Sequence, residues 1–320
     1  MREKIMMGNA FKSTATLQKA YEEFIKIKQI NNLSEDTLSY YNRCCLPLMD
    51  YFGKEKPCIE INQQDIYDYL DYIKTTRQLS PVTLNTHIRG IRAYLYHCME
   101  KGYTKRFKIQ LVRCEKPIKE TYTEWEIQQL LKKPDPQKCS FSEFRNWAIV
   151  CYLLGTGNRL STVCNLKIED IDMEASEIKL RKVKNKKAYI IPLSSTLKSV
   201  LVEYLKYRKG ENDDYLFCTI YGEKMGKDTF ATAIKEYNHS RKVTKTSVHL
   251  FRHTFAKNWI MNGGDIFRLQ KMLGHSSLEM VKEYVNMFGC DLKENFDRFN
   301  TLDSFKGELN KKKTMTLKKK

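Results

Sequence analysis

Acidic side chains are in short supply. Only 38 Asp and Glu face 56 Lys and Arg, which leaves a formal net charge of +18 over 320 residues. A surplus that large favours a polyanionic partner, nucleic acid first and an anionic membrane surface second. Long apolar runs are missing too. None approaches about 18 residues, so no membrane-spanning helix is expected. Met1 to Ser13 has no extended apolar core of the kind export requires. None of the ten cysteines (Cys44, Cys45, Cys58, Cys98, Cys114, Cys139, Cys151, Cys164, Cys218 and Cys290) falls in a C-x-x-C pair, so a zinc site has little support. Several sit in apolar runs such as Val150-Cys151-Tyr152-Leu153-Leu154, the usual place for a buried reduced thiol. A reducing cytoplasm fits this pattern. There is no P-loop, no convincing metal cluster and no internal repeat.

What is present reads mainly as helix with one small β-sheet. Leu17, Ala20, Tyr21, Phe24 and Ile25 recur at helical spacing. Ser34 offers an N-cap for a second helix, which Pro47 should kink or end. Asn62 caps a third, with Ile66, Tyr69, Leu70 and Ile73 on one face. Ser80-Pro81 opens a fourth, carrying Leu84, Ile88, Ile91 and Leu95 and stopping at Gly102. These form one all-α domain over residues 14–112, followed by a polar, basic linker over 113–121.

A second domain is expected over 122–304. Thr123-x-x-Glu126 opens it as a capping box. The apolar run from Phe144 to Leu154 predicts a buried helix that ends at Gly155-Thr156-Gly157. Residues 177–182 and 188–193 predict a β-hairpin joined by a Lys/Asn turn, and helices are expected again from about Asp228. Residues 305–320 hold seven lysines and one glutamate, the composition of a disordered basic tail that adds non-specific affinity for a polyanion.

Five places in the second domain could carry chemistry. Arg159 follows the glycine-punctuated turn, where a guanidinium can offer a planar fork to two phosphate oxygens; a plain surface arginine is the simpler explanation. Lys179 to Lys187 holds six basic residues in nine, either a finger that tracks phosphates or a solvated sheet edge guarded by lysines. His249 and Arg252 are three apart and share one face of a helix, whereas His253 points elsewhere and reads as structural. His275 sits on a tight turn at Leu273-Gly274-His275-Ser276, next to a second capping box at Ser276-x-x-Glu279, a natural place to meet an anion or simply a turn histidine. Tyr284 is one of 19 tyrosines, and by itself a helical tyrosine is a packing residue.

In combination the order and spacing are specific. Gly-Thr-Gly-x-Arg, a basic hairpin, His-x-x-Arg-His, Leu-Gly-His-Ser-Ser and a tyrosine nine residues later resemble the tyrosine recombinase (phage integrase) family over about residues 120–300. The helical first domain resembles that family's core-binding, SAM-like domain. The resemblance implies a mainly α architecture with an α+β catalytic domain, the two domains forming a C-shaped clamp on DNA. Arg159 and Arg252 then match the two catalytic arginines, and His249 and His275 the two histidines. Lys184, eight residues before Pro192, matches the hairpin lysine, with Lys182 and Lys186 flanking it. Tyr284 matches the nucleophile. Two positions depart from the pattern: Thr162 replaces a frequent acidic residue, and Asn158 replaces a hydrophobe. A partner for Arg159 is therefore expected from elsewhere.

The implied activity is site-specific recombination through a 3′-phosphotyrosyl intermediate, for integration or excision of a mobile element or phage. It needs no cofactor and no metal. The implied partners are double-stranded recombination sites, a homotetramer on two duplexes and an accessory DNA-bending or directionality protein, in a bacterial cytoplasm at the nucleoid. Subunits are expected to exchange a C-terminal segment between about Gly289 and Ser304. With few residues ahead of the first helix, no separate arm-binding domain is expected. Two alternatives stay open: type IB topoisomerase-like relaxation, and a catalytically silent DNA-binding regulator.

Overall fold

The structure is a computed structural model that describes residues 15–114, 119–181, 188–275, 277–288 and 300. The chain divides into two compact units, Met1–Pro117 and Ile118–Lys320.

The first unit holds four helices: α1 (Leu17–Ile30), α2 (Glu35–Phe52), α3 (Gln63–Thr76) and α4 (Pro81–Glu100). Their starts follow from side chains that satisfy the free N–H groups of the first turn. Thr16 accepts from Lys19, Asn62 and Asp65 form a reciprocal box, and Ser80 accepts from Thr83 with Pro81 in the first turn. Each such cap contributes about 1 kcal/mol. The apolar stripes meet in one core that includes Phe24, Leu48, Tyr69, Ile88 and Tyr94. Its buried tyrosines find partners for their hydroxyls. Tyr94 donates to the Leu17 carbonyl at 2.7 Å, and Tyr69 pairs with His87 Nε2 at 2.9 Å.

One expectation fails here: α2 is not ended at Pro47 but continues to Phe52. Proline removes the bond to the carbonyl four residues earlier. Cys44, Cys45, Leu48 and Met49, all buried, anchor the helix on both sides of the gap and outweigh that loss.

The second unit is built around α6 (Phe141–Thr156), which is capped by Ser140 and buries Phe144, Trp147, Ile149, Val150, Tyr152 and Leu153. At about 1.5–3 kcal/mol per large apolar side chain, this helix is a large contributor to the unit's hydrophobic stabilisation. It packs against α8 (Ser195–Arg208), α9 (Lys227–Ser240) and α10 (Val248–Met261). Ahead of it lies α5 (Glu124–Leu131), opened by the Thr123–Glu126 capping box. After it come the short α7 (Leu160–Val163) and an antiparallel sheet in the order β1 (Ile171–Asp172), β2 (Glu177–Leu180), β3 (Tyr189–Pro192). Ile178 and Ile191 face each other across β2 and β3, and both are buried. The chain closes with α11 (Ile266–Leu273) and α12 (Glu279–Phe288).

Several details differ from the sequence reading. The hairpin strands are shorter than expected, β1 adds a third strand, and the expected Lys/Asn turn falls among residues 182–187, outside the described residues. A helix precedes Asp228: α8 buries Leu197, Leu201 and Tyr204 at helical spacing behind the Ser194 cap, with many charged neighbours diluting the pattern. Cys151 is half-buried rather than buried, whereas Cys44, Cys45, Cys58, Cys98, Cys164 and Cys218 are buried.

Candidate active site

The site forms where α6 ends and where α10, α11 and α12 meet. Gly157 terminates α6 in the left-handed conformation, φ +62°, and the chain turns directly into Arg159, the residue that caps α7. Gly274 does the same after α11, at φ +59°. Both turns are crowded. A Cβ on Gly157 would lie 2.6 Å from Phe255, and one on Gly274 would lie 2.6 Å from the Tyr189 hydroxyl. Only glycine satisfies the backbone angle and the space together.

Arg159 and Arg252 converge on this point. Arg159 donates to the carbonyls of Leu273 (3.4 Å) and Gly274 (3.3 Å). Arg252, 5% exposed, donates to the carbonyls of Gly157 (2.9 Å) and Leu273 (2.8 Å) and to Nε2 of His275. The two guanidiniums thus share the Leu273 carbonyl. Among the described residues their hydrogen-bond partners are backbone carbonyls and the His275 imidazole, with the Tyr284 hydroxyl beside Arg252 and no carboxylate among them. Burial, then the charge of Arg159, pulls Arg252 down to about 10, still cationic at neutral pH. Two adjacent cations held by neutral dipoles attract an anion with planar oxygens. The partner that Arg159 lacks at Thr162 is therefore supplied by backbone carbonyls. Asn158 is buried for a different reason: its Nδ2 donates to the Tyr152 hydroxyl at 2.8 Å.

His275 is buried and neutral. Burial first, then Arg252, Arg159 and Lys119, push its pKa down to about 3. Because Arg252 can only donate, Nε2 accepts and the ring proton sits on Nδ1. That Nδ1 is buried without a hydrogen-bond partner among the described residues. His249 lies at the surface of α10. Desolvation, then Arg252 and Arg159, lowers its pKa, which places it in the field of both guanidiniums.

Tyr284 is 3% exposed. Its ring packs with Ala256, Ile260, Leu269, Leu273 and Val281 from α10, α11 and α12. Its hydroxyl meets Nδ1 of His253 at 2.8 Å. This corrects the reading of His253 as a residue that points elsewhere: the bend of the chain after α11 brings α12 onto that face of α10. The sequence carried a signal for it only in the adjacency of Arg252 and His253. Burial raises the Tyr284 pKa, and the Arg252 guanidinium beside the hydroxyl opposes that rise. Lys119, just ahead of α5, was not singled out by sequence either. Its ammonium lies 4.4 Å from the Tyr284 ring centroid and pairs with Glu283 at 2.7 Å.

Lys184 lies outside the described residues, as do Lys182, Lys186 and Lys187. At the base of the hairpin, Lys179 pairs with Asp172 at 3.1 Å, and Arg181 with Glu169 at 3.0 Å and Asp170 at 2.7 Å. These two cations are thus engaged within the fold. Ser276, half of the second expected capping box, also lies outside the described residues, and α12 begins at Glu279, with the Leu278 carbonyl accepting its first bonds.

Residues 120–288 match the phage integrase family, and residues 20–105 match the N-terminal SAM-like domain of phage integrases. The chain is 30% identical over 228 residues to the tyrosine recombinase XerA of Pyrococcus furiosus, covering 70% of this chain and 77% of that protein. It is 26% identical over 298 residues to the tyrosine recombinase XerD of Oceanobacillus iheyensis, covering 89% and 99%. Among solved structures, the fold is similar to that of the Tn1549 transposon integrase in complex with circular intermediate DNA, with a TM-score of 0.68 and 22% identity over 92% of this chain and 99% of that one. The chain belongs to the phage integrase family and is a tyrosine recombinase. Neither alternative, topoisomerase or silent regulator, draws support from these matches. No helix among the described residues is long and apolar enough to cross a membrane.

Proposed function

We propose that this recombinase cleaves and rejoins DNA through a covalent bond between Tyr284 and a 3′ phosphate. The observation that carries the reading is the convergence of Arg159 and Arg252 on the Leu273 carbonyl, with His275 and the Tyr284 hydroxyl both beside Arg252. The arginines bind the non-bridging oxygens of the scissile phosphate and stabilise the charge that builds in the transition state. His275, through Nδ1, and His249 add hydrogen bonds to the same oxygens. Tyr284 attacks in line, and Lys184 protonates the leaving 5′ oxygen. A free 5′ hydroxyl from a partner strand then reverses the step. Each step exchanges one phosphoester for another.

The +18 charge makes binding to double-stranded sites largely electrostatic and steeply salt-dependent. Integration or excision of a mobile element or phage, by a homotetramer that pairs two duplexes with an accessory DNA-bending or directionality protein at the bacterial nucleoid, is the biological setting this chemistry serves. The domain limits proposed for that role are 14–112, 122–304 and the basic tail 305–320.

Covalent trapping tests the reading. The protein and its Tyr284→Phe variant are each mixed with a randomised pool of nicked duplexes, denatured and run on a gel for protein-linked DNA. Adducts from the unaltered protein alone are expected, and their sequences report the site. Adducts from Tyr284→Phe would remove Tyr284 as the nucleophile.

A further inference from the structure

The hydroxyl of Tyr284 has two neighbours of known chemistry. Arg252 can only donate, so toward it the oxygen accepts. The phenolic proton is left for the second neighbour, Nδ1 of His253, at 2.8 Å. That direction requires Nδ1 to be the unprotonated nitrogen and puts the imidazole's own proton on Nε2. The groups facing His253 agree with a neutral ring: Lys119 ahead of α5, His249 and Arg252 on α10, and Tyr284 on α12 beside the Lys119–Glu283 pair. Burial first, then Lys119, His249 and Arg252, push its pKa down to about 4. The ring is therefore available as an acceptor throughout the neutral range. His249, one turn earlier on the same helix, has no hydrogen bond to the hydroxyl among the described residues.

We propose that His253 is a catalytic residue of strand cleavage, taking the Tyr284 proton at Nδ1 while the tyrosine oxygen attacks phosphorus. The proposal rests on the reading of Tyr284 as nucleophile. The O–H bond of Tyr284 breaks and its proton passes to His253, which becomes an imidazolium. The bond from the tyrosine oxygen to phosphorus forms as the bond to the 5′ oxygen breaks, and that oxygen takes a proton from Lys184. In rejoining, His253 returns its proton to the departing tyrosine oxygen. A bound phosphate adds negative charge among the surrounding cations and raises the basicity of the ring when it is needed.

The test uses the full chain on a short cleavable duplex, made once with an ordinary phosphodiester and once with sulfur at the bridging 5′ position. A thiolate leaves without a proton, so the sulfur substrate isolates deprotonation of the nucleophile. His253→Gln, whose amide accepts a hydrogen bond but not a proton, is expected to bind DNA and melt like the unaltered protein. It should cleave about 10²–10⁴-fold more slowly on both substrates. Its rate should rise about tenfold per pH unit as solvent base substitutes for the ring, and added imidazole should restore cleavage to His253→Ala. Cleavage by His253→Gln within about threefold of normal would overturn the proposal. So would a loss that is independent of pH or is repaired by the sulfur substrate. Should His253→Ala not fold, the Gln variant alone decides. Adducts from Tyr284→Phe, run in parallel, would instead signal failure of the nucleophile assignment itself.

Discussion

Arg252 and Gly157, 95 residues apart in sequence, are joined by a 2.9 Å hydrogen bond from the guanidinium to the backbone carbonyl. The bond ties the helix that carries the second arginine to the turn that aims the first. Anything that moves the Gly157 turn therefore moves both cations.

Gly157→Ala tests that coupling. The left-handed backbone disfavours a side chain, and the new Cβ would lie 2.6 Å from Phe255 and 2.9 Å from Leu273. A loss of about 1–3 kcal/mol in stability is expected. Cleavage should fall further than DNA affinity does, since phosphate contacts elsewhere are untouched. Chemical denaturation and single-turnover cleavage would check the two effects separately. Unchanged cleavage would show that Arg159 and Arg252 do not depend on the turn.

Arg252→Met should separate catalysis from folding. Removing a donor aimed at transition-state charge costs about 10²–10³ in rate, as for other oxyanion donors. Stability should change little. The variant loses an uncompensated buried cation, which is favourable, but it also leaves the Gly157 carbonyl without its donor, which is not. A large drop in melting temperature would mean that the guanidinium is chiefly a structural clamp.

Two buried histidines, His275 and His87, and the half-buried His253 predict a one-sided pH dependence of stability. His275 is held down to about 3, and His253 and His87 to about 4, against 6.5 when unfolded. Between those values the unfolded chain binds more protons than the native one. The stability they contribute is complete above pH 6.5 and is lost as pH falls toward 4 and below. Melting temperatures measured from pH 7 to 4.5 should fall, and His275→Gln should flatten the slope. A profile that is level over that range would contradict the burial of these rings.

Lys119→Ala should weaken the setting of Tyr284 more than it weakens the fold. Its partly exposed ion pair with Glu283 is worth about 0–1 kcal/mol, and its position over the Tyr284 ring about 0.5–1 kcal/mol. The expected signature is a small shift in the melt with a clear loss in single-turnover cleavage. Equal, small effects on both would reduce Lys119 to a surface residue.

Much of the local structure is legible in the sequence alone. Thr123 with Glu126, Asn62, Ser80 with Pro81 and the glycines at 157 and 274 are short-range devices whose geometry depends on a few adjacent residues. The apolar stripe of α6 is long enough to speak for itself. What went unread depended on partners far along the chain. Pro47 sits inside a helix because buried neighbours hold both flanks, and α8 shows its three core positions only once α6 is beside it.

For the site, sequence order and spacing determined which side chains are candidates, since Arg159, His249, Arg252, His275 and Tyr284 all stand in motif positions. Tertiary structure decided how four of them meet and what surrounds them. The Leu273 carbonyl shared by two arginines, the tautomer of His275, and the placing of His253 and Lys119 against Tyr284 all arise where α10, α11 and α12 pack together. The physical reason is one of range. A cap or a turn is settled by contacts a few residues apart, whereas the proton acceptor nearest a tyrosine is settled by which helix face the folded chain lays over it.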